Sequence, residues 1–112
     1  MEISIVIPTL NEADILANTL KPLNRRTNEI IVVDGGSHDQ TVQVARQYTP
    51  HVVTSRKGRG LQLDVGARQS KGKVLVFLHA DTQLPLRYEQ LINEVLADPR
   101  IVFGAFHLKI HP

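Results

Sequence analysis

The chain has 112 residues, 42% of them hydrophobic and 21% charged, and a formal net charge of +2. That is the size of one small domain and the composition of a globular protein, not of a disordered or fibrous one. There is no cysteine, which excludes disulfides, thiolate metal sites and thiol catalysis and suits a cytoplasmic protein.

So small a net charge gives no ground for expecting a nucleic-acid partner. Met1-Glu2-Ile3-Ser4 lacks the basic region and long apolar stretch of a signal peptide. No apolar run reaches the roughly 20 residues a transmembrane helix needs.

Short apolar runs alternate with helical patterns along the chain, which predicts βαβ units and a mostly parallel sheet with helices on both faces. Ile3 to Ile7 reads as a first strand stopped by Pro8, followed by a helix from Glu12 to about Leu23. Ile15, Leu16, Thr19, Leu20 and Leu23 share one face of that helix, and Asn11 is its expected N-cap. Ile30 to Val33 is a second strand, and Asp34-Gly35-Gly36-Ser37 a loop before a helix from Asp39 to Tyr48. His51 to Thr54 is a short third strand, and the basic loop Arg56-Lys57-Gly58-Arg59-Gly60 leads into a helix ending near Gly72. Lys73 to Leu78 is a fourth strand, Arg87 to Leu96 a last helix, and Ile101 to Ile110 a final strand that either joins antiparallel or extends away.

Four polar groupings fall at the carboxyl ends of these strands, where open α/β sheets bind ligands. Pro8-Thr9-Leu10-Asn11-Glu12 offers side chains and helix-start amides to a base, ribose or phosphate; taken alone, simple capping by Asn11 and Glu12 is the favoured reading. Asp34 ends a buried strand beside two glycines that permit close backbone approach, and there it is placed to accept from a ribose or a base edge. Asp39 reads as a cap. Arg56 to Gly60 carries three cations that suit a diphosphate, though a solvated basic loop reads the same way. His79-Ala80-Asp81 ends the apolar run Val74 to Leu78. In extended geometry residues i and i+2 point the same way, so His79 and Asp81 are expected to face one divalent cation; magnesium favours oxygen ligands, and manganese accepts imidazole more readily. A histidine bonded to backbone, with Asp81 opening a turn, is the alternative.

Taken in order, Ile5-Val6-Ile7-Pro8-Thr9-Leu10-Asn11-Glu12, Ile31-Val32-Val33-Asp34-Gly35-Gly36-Ser37-His38-Asp39-Gln40-Thr41 and Phe77-Leu78-His79-Ala80-Asp81-Thr82 resemble the successive motifs of the family 2 glycosyltransferases. The resemblance runs from Met1 to about Phe106. With Gly104-Ala105-Phe106 it looks most like a bacterial subgroup of small members. It implies a GT-A fold, with residues 1–112 forming a single nucleotide-sugar-binding domain, and transfer of a sugar from a nucleoside diphosphate donor. By resemblance Pro8, Thr9, Glu12, Asp34, Arg59 and Ala80 belong to the nucleotide-sugar site. Asp81, with His79, belongs to the site of a divalent metal, Mn²⁺ or Mg²⁺, that steadies the leaving diphosphate.

The sequence departs from the family pattern at three positions. His79 stands where aspartate is common, Gly35 where many members have a second aspartate, and Asp64 where asparagine is common. The general base of inverting members, with the acceptor-binding part, lies carboxyl-terminal to the region resembled. Glu89, Glu94 and Asp98 fall on or beside the helix after the metal motif and do not replace it, so no catalytic residue is assigned. A sugar nucleotidyltransferase would carry a glycine-rich basic loop after the first strand, which Pro8 to Glu12 is not. The remaining alternative is a non-catalytic module, with a homodimer or a partner chain covering an open last strand that bears Phe103, Phe106 and Leu108.

Overall fold

The computed structural model describes residues 3–95 and 106–110. Five strands form one sheet in the order β3-β2-β1-β4-β5: β1 (Ile3–Thr9), β2 (Asn28–Asp34), β3 (Val52–Thr54), β4 (Val74–Leu78) and β5 (Phe106–Ile110). The first four run parallel and β5 pairs antiparallel with β4. The helices are α1 (Leu16–Leu20), α2 (Thr41–Arg46), α3 (Arg59–Gln69) and α4 (Tyr88–Val95).

Alternating residues of the strands feed two cores. Ile3, Ile5, Ile7, Ile30, Val32, Val74, Val76 and Leu78 pack with Leu16 and Leu20 of α1, Ala45 of α2, and Tyr88 and Ile92 of α4. Val6, Ile31, Val33 and Leu75 face the other way, against Leu63, Val65 and Ala67 of α3. Burial on both faces explains why β1, β2 and β4 read as near-continuous apolar runs. The chain steps outward from β1 to β2 to β3, and α3 then carries it back to β4 on the far side of β1. The strand order therefore reverses between β1 and β4, and the crevice at the carboxyl ends of these strands is the switch point of the sheet.

Several boundaries differ from those the sequence predicts. Pro8 does not stop β1, which continues to Thr9. The carbonyl of Thr9 accepts from Gly35 on the β2 side, so the ladder's alternation turns Pro8 toward β4, and β4 pairs with β1 only through Val6; no bond is lost to the missing N–H. The strand β2 begins two residues early because its polar start is satisfied. Asn28 donates to the Tyr88 hydroxyl, and Glu29 accepts from Ser4 Oγ and from the Lys71 amide, each at 2.7 Å.

The first helix covers residues 16–20 rather than 12–23, although Leu16, Thr19, Leu20 and Leu23 are buried as expected. Asn11 is not its cap: it sits at φ +54°, and its Oδ1 accepts the His38 amide at 2.8 Å. The predicted β5 residues 101–105, with Phe103, and Asp98 lie outside the described residues.

Gly66 of α3 packs directly against the sheet. A β-carbon there would meet Val6 Cγ1 at 2.2 Å and Val33 Cγ2 at 3.1 Å, and Val6 lies fully buried in the central strand. Gly66→Val is therefore expected to lower unfolding free energy by about 2 kcal/mol or more through overpacking, read from urea titrations. An unchanged midpoint would contradict this packing.

Candidate functional site

The ends of β1 and β2 are joined by a carboxylate. Asp34 is 1% exposed, and each of its oxygens takes two donors. Oδ1 accepts from Thr9 Oγ1 at 2.8 Å and Ser37 Oγ at 2.5 Å. Oδ2 accepts from the Gly36 and Ser37 amides at 3.0 and 2.7 Å. Burial alone would push this carboxyl up, but the hydrogen bonds from Ser37, Thr9 and Gly36 outweigh it and hold the pKa below 3.8. With all four lone-pair sites in use, Asp34 braces the turn from inside, and a ligand donor reaching it would have to replace one of these hydroxyls.

The amides of the first loop, expected to be available to a ligand, are taken by the second loop. Asn11 N donates to Ser37 Oγ, Glu12 N to Thr41 Oγ1 and Ala13 N to Asp39 Oδ2, at 2.8, 2.8 and 3.2 Å. Asp39 also accepts the Thr41 amide at 2.9 Å, but the N-cap position of α2 is Gln40, not Asp39 as the sequence predicts. These bonds account for the late start of α1, because the turn before it is built from β1–α1 amides and α2-side acceptors.

Three cavities open along this edge. The first, of about 200 Å³, lies between Pro8, Thr9, Leu10 and Glu12 on one side and Lys57, Gly58, Arg59 and Gln62 on the other. The second, of about 240 Å³, lies over the switch point, between Pro8, Arg59, Leu63, Phe77, Leu78 and His79. Pro8 and Arg59 line both, so the two adjoin. The third, of about 390 Å³, is lined by Ile15, Asn18, Thr19, Asp81 and Gln83.

Four of the residues expected at a nucleotide site, Pro8, Thr9, Glu12 and Arg59, thus meet around one cavity, with Asp34 bonded to Thr9 behind it. Ala80 does not join them. It is 3% exposed in the core, and its carbonyl accepts the Thr19 hydroxyl. Nor do His79 and Asp81 face one point. The Thr82 amide donates to the His79 carbonyl at 3.0 Å, closing a turn, so the extended geometry that would align residues i and i+2 is absent and the two side chains line different cavities. Among the described residues no three histidine or carboxylate side chains cluster as a metal site.

Gln62 and Lys57 complete the first cavity. Lys57 lay in the basic loop the sequence picks out, but Gln62 carries no such signal. The buried positions of α3 are Gln62 and Gly66, neither apolar, so hydrophobic periodicity passes over that face; a polar residue four before a helix-packing glycine is the trace it leaves. Asp64, one of the departures from the family pattern, is exposed and paired with Arg68 at 3.0 Å.

A mostly parallel sheet flanked by helices, with its switch point between β1 and β4, is the GT-A-type fold of the solved glycosyltransferases it resembles. The family model "Glycosyl transferase family 2" matches residues 4–110, and the chain belongs to that family. A dolichol-phosphate mannosyltransferase of Pyrococcus furiosus is 32% identical over a 123-residue alignment covering 97% of this chain and 34% of that protein. Glycosyltransferase AglE of Haloferax volcanii is 31% identical over 91 residues, 70% of this chain and 30% of the relative. The chain thus spans about a third of the length of the curated relatives it matches.

Among solved structures, the mannosyltransferase PcManGT of Pyrobaculum calidifontis, in complex with GDP-Man and Mn²⁺, superposes with a TM-score of 0.73 at 28% identity, covering 89% of this chain and 33% of that one. Glucosyl-3-phosphoglycerate synthase of Mycobacterium tuberculosis, in complex with Mn²⁺, UDP and glucosyl-3-phosphoglycerate, shares the fold with a TM-score of 0.72 at 23% identity over 87% of this chain and 40% of that one.

The lowered pKa of Asp34 fixes a pH dependence. A carboxyl held below its unfolded value stabilises the fold above that value and loses the contribution as pH falls through the folded value. Asp34→Asn also turns an amide against the Gly36 and Ser37 donors. It is expected to be clearly less stable than wild type at pH 7, with the gap closing as pH drops below 3.8. Urea titrations at both ends of that range check this; a gap that stays constant would show that the charge of Asp34 is not what the turn uses.

Proposed function

We propose that the chain binds a nucleoside diphosphate sugar along the carboxyl edge of β1, β2 and β4, as the donor-binding portion of a glycosyltransferase. The observation that carries this reading is the first cavity, where Pro8 and Thr9 at the end of β1 and Glu12 after it face Lys57 of the basic loop and Arg59 at the start of α3, across a space lined by both charges. In this reading Pro8, Thr9 and Glu12 hold the nucleoside, with Asp34 meeting it through the Thr9–Ser37 layer. Lys57 and Arg59 neutralise the diphosphate, helped by the positive end of α3, which opens at Arg59. His79, beside Arg59 in the adjoining cavity, is placed toward the phosphates or the sugar. Family membership and the likeness to a mannosyltransferase solved with GDP-Man and Mn²⁺ support it.

A divalent cation fits the residues present in one way. Asp81 is an exposed carboxylate at the end of β4, and magnesium or manganese commonly takes one or two carboxylates, with water and substrate phosphate filling the other positions. His79 lines a different cavity and is not needed for that set. When bound there, the ion would supply Lewis-acid stabilisation of the departing diphosphate.

Isothermal titration of the chain with UDP and GDP, with and without Mn²⁺, tests this. At least one nucleotide is expected to bind, more tightly with the metal, and Asp81→Ala is expected to remove only the metal-dependent gain. Arg59→Ala is expected to weaken binding about tenfold or more, the loss of a charged hydrogen bond. No heat with either nucleotide, in a folded chain, would remove the reading.

A second reading, a module that pairs with its own copy, is favoured by β5, which lies at one edge of the described sheet, where a further strand can add. Under it, light scattering gives twice the chain mass at high concentration, and Lys109→Pro restores the monomer; a monomer throughout removes it.

A further inference from the structure

Gln62 is 4% exposed and lies in the first turn of α3. Its amide nitrogen donates to the Thr9 and Val33 carbonyls, each at 2.9 Å, and its amide oxygen accepts the Gly58 N–H at 3.2 Å. One side chain thus ties together the end of β1, the end of β2 and the basic loop. The chemistry requires an amide: two carbonyls need two donated hydrogens, and the Gly58 N–H needs an acceptor, a set that glutamine supplies and an ionised carboxylate does not.

Gly35 supplies an independent observation. A β-carbon there would come within 2.8 Å of Gln62 Oε1 and 2.9 Å of its Cδ, and the Gly35 amide donates to the same Thr9 carbonyl at 2.9 Å. The glycine that departs from the family pattern is therefore the one that makes room for this side chain. The loop it holds contains Gly58 at φ +150°, a backbone state that few other residues adopt.

We propose that Gln62 is a positioning residue: it locks Lys57-Gly58-Arg59 to the ends of β1 and β2 so that the two cations stand in place over the first cavity before a ligand arrives. The proposal rests on reading that cavity as the nucleotide site. Its advantage is preorganisation, since a loop already ordered loses less freedom on binding.

Gln62→Met keeps the length of the side chain and removes its bonds. Thr49→Val is the control, because Thr49 is as buried and donates to the Ile30 carbonyl at 2.7 Å without lining the first cavity. Two readouts are compared at a temperature where all variants are folded: the rate of tryptic cleavage after Lys57 and Arg59, and the dissociation constants for UDP and GDP. Gln62→Met is expected to speed cleavage at these sites, and to weaken the nucleotide that wild type binds, about tenfold each, while Thr49→Val changes neither.

Unchanged cleavage in Gln62→Met overturns the lock, and faster cleavage with unchanged affinity overturns its role in binding. If wild type binds neither nucleotide, the reading of the cavity fails and the role in binding with it, while the cleavage rates still decide the lock. Should Gln62→Met not fold, amide exchange in wild type decides: protection of Gly58 comparable to that of Gly35 supports the lock, and free exchange of Gly58 overturns it.

Discussion

Parallel strands that end side by side leave backbone groups with no ladder partner, and a buried group left unpaired is costly. In this protein the ends of β1 and β2 are closed by two polar side chains. Asp34 collects Thr9, Gly36 and Ser37 from above, and Gln62 donates to Thr9 and Val33 from the α3 side. No buried side-chain nitrogen or oxygen among the described residues is left without a partner. A site at this edge is thus built on satisfied groups, and a ligand meets a surface whose internal bonds are already made.

The same closure sets the shape of the edge. Because the second loop supplies acceptors to the amides of residues 11–13, α1 starts late and the first loop is tied to the second. Gln62 bonds Gly58, and the basic loop faces the first loop across the first cavity. On the far side of the switch point, the Thr19 hydroxyl and the Ala80 carbonyl join α1 to the turn after β4, and Gln83 reinforces the junction by donating to the Asn18 carbonyl at 3.1 Å. That junction separates Asp81 from His79 and gives the carboxylate its own opening.

What the sequence makes legible follows from which forces are local. Strands buried on both faces are mostly apolar, so β1, β2 and β4 stand out, and the carboxylates at or after their ends, Asp34 and Asp81, stand out against them. The inward face of α1 is also legible, from Leu16 to Leu23, because burial follows helical spacing. Its boundaries are not, because the partners of the amides at residues 11–13 lie 26 to 29 residues away. The capping role given to Asn11 fails for the same reason: its oxygen serves His38. His79 and Asp81 are misread as a pair because a strand end looks extended until the Thr82 amide closes the turn. Ala80 is misplaced because nothing local announces that Thr19 will draw its carbonyl into the core. Gln62 is invisible to periodicity because its position is buried by hydrogen bonds and not by hydrophobicity.

The central claim is that the carboxyl edge of β1, β2 and β4 is a preformed nucleotide site, and amide chemical-shift mapping of the chain with UDP or GDP tests it most directly. The account predicts that the largest shifts fall on Thr9, Gly35, Gly58 and Arg59, with Lys71 and Gly72 at the opposite edge unmoved. Shifts concentrated at residues 71–73 and 24–29, with Thr9 and Gly58 unmoved, would contradict it.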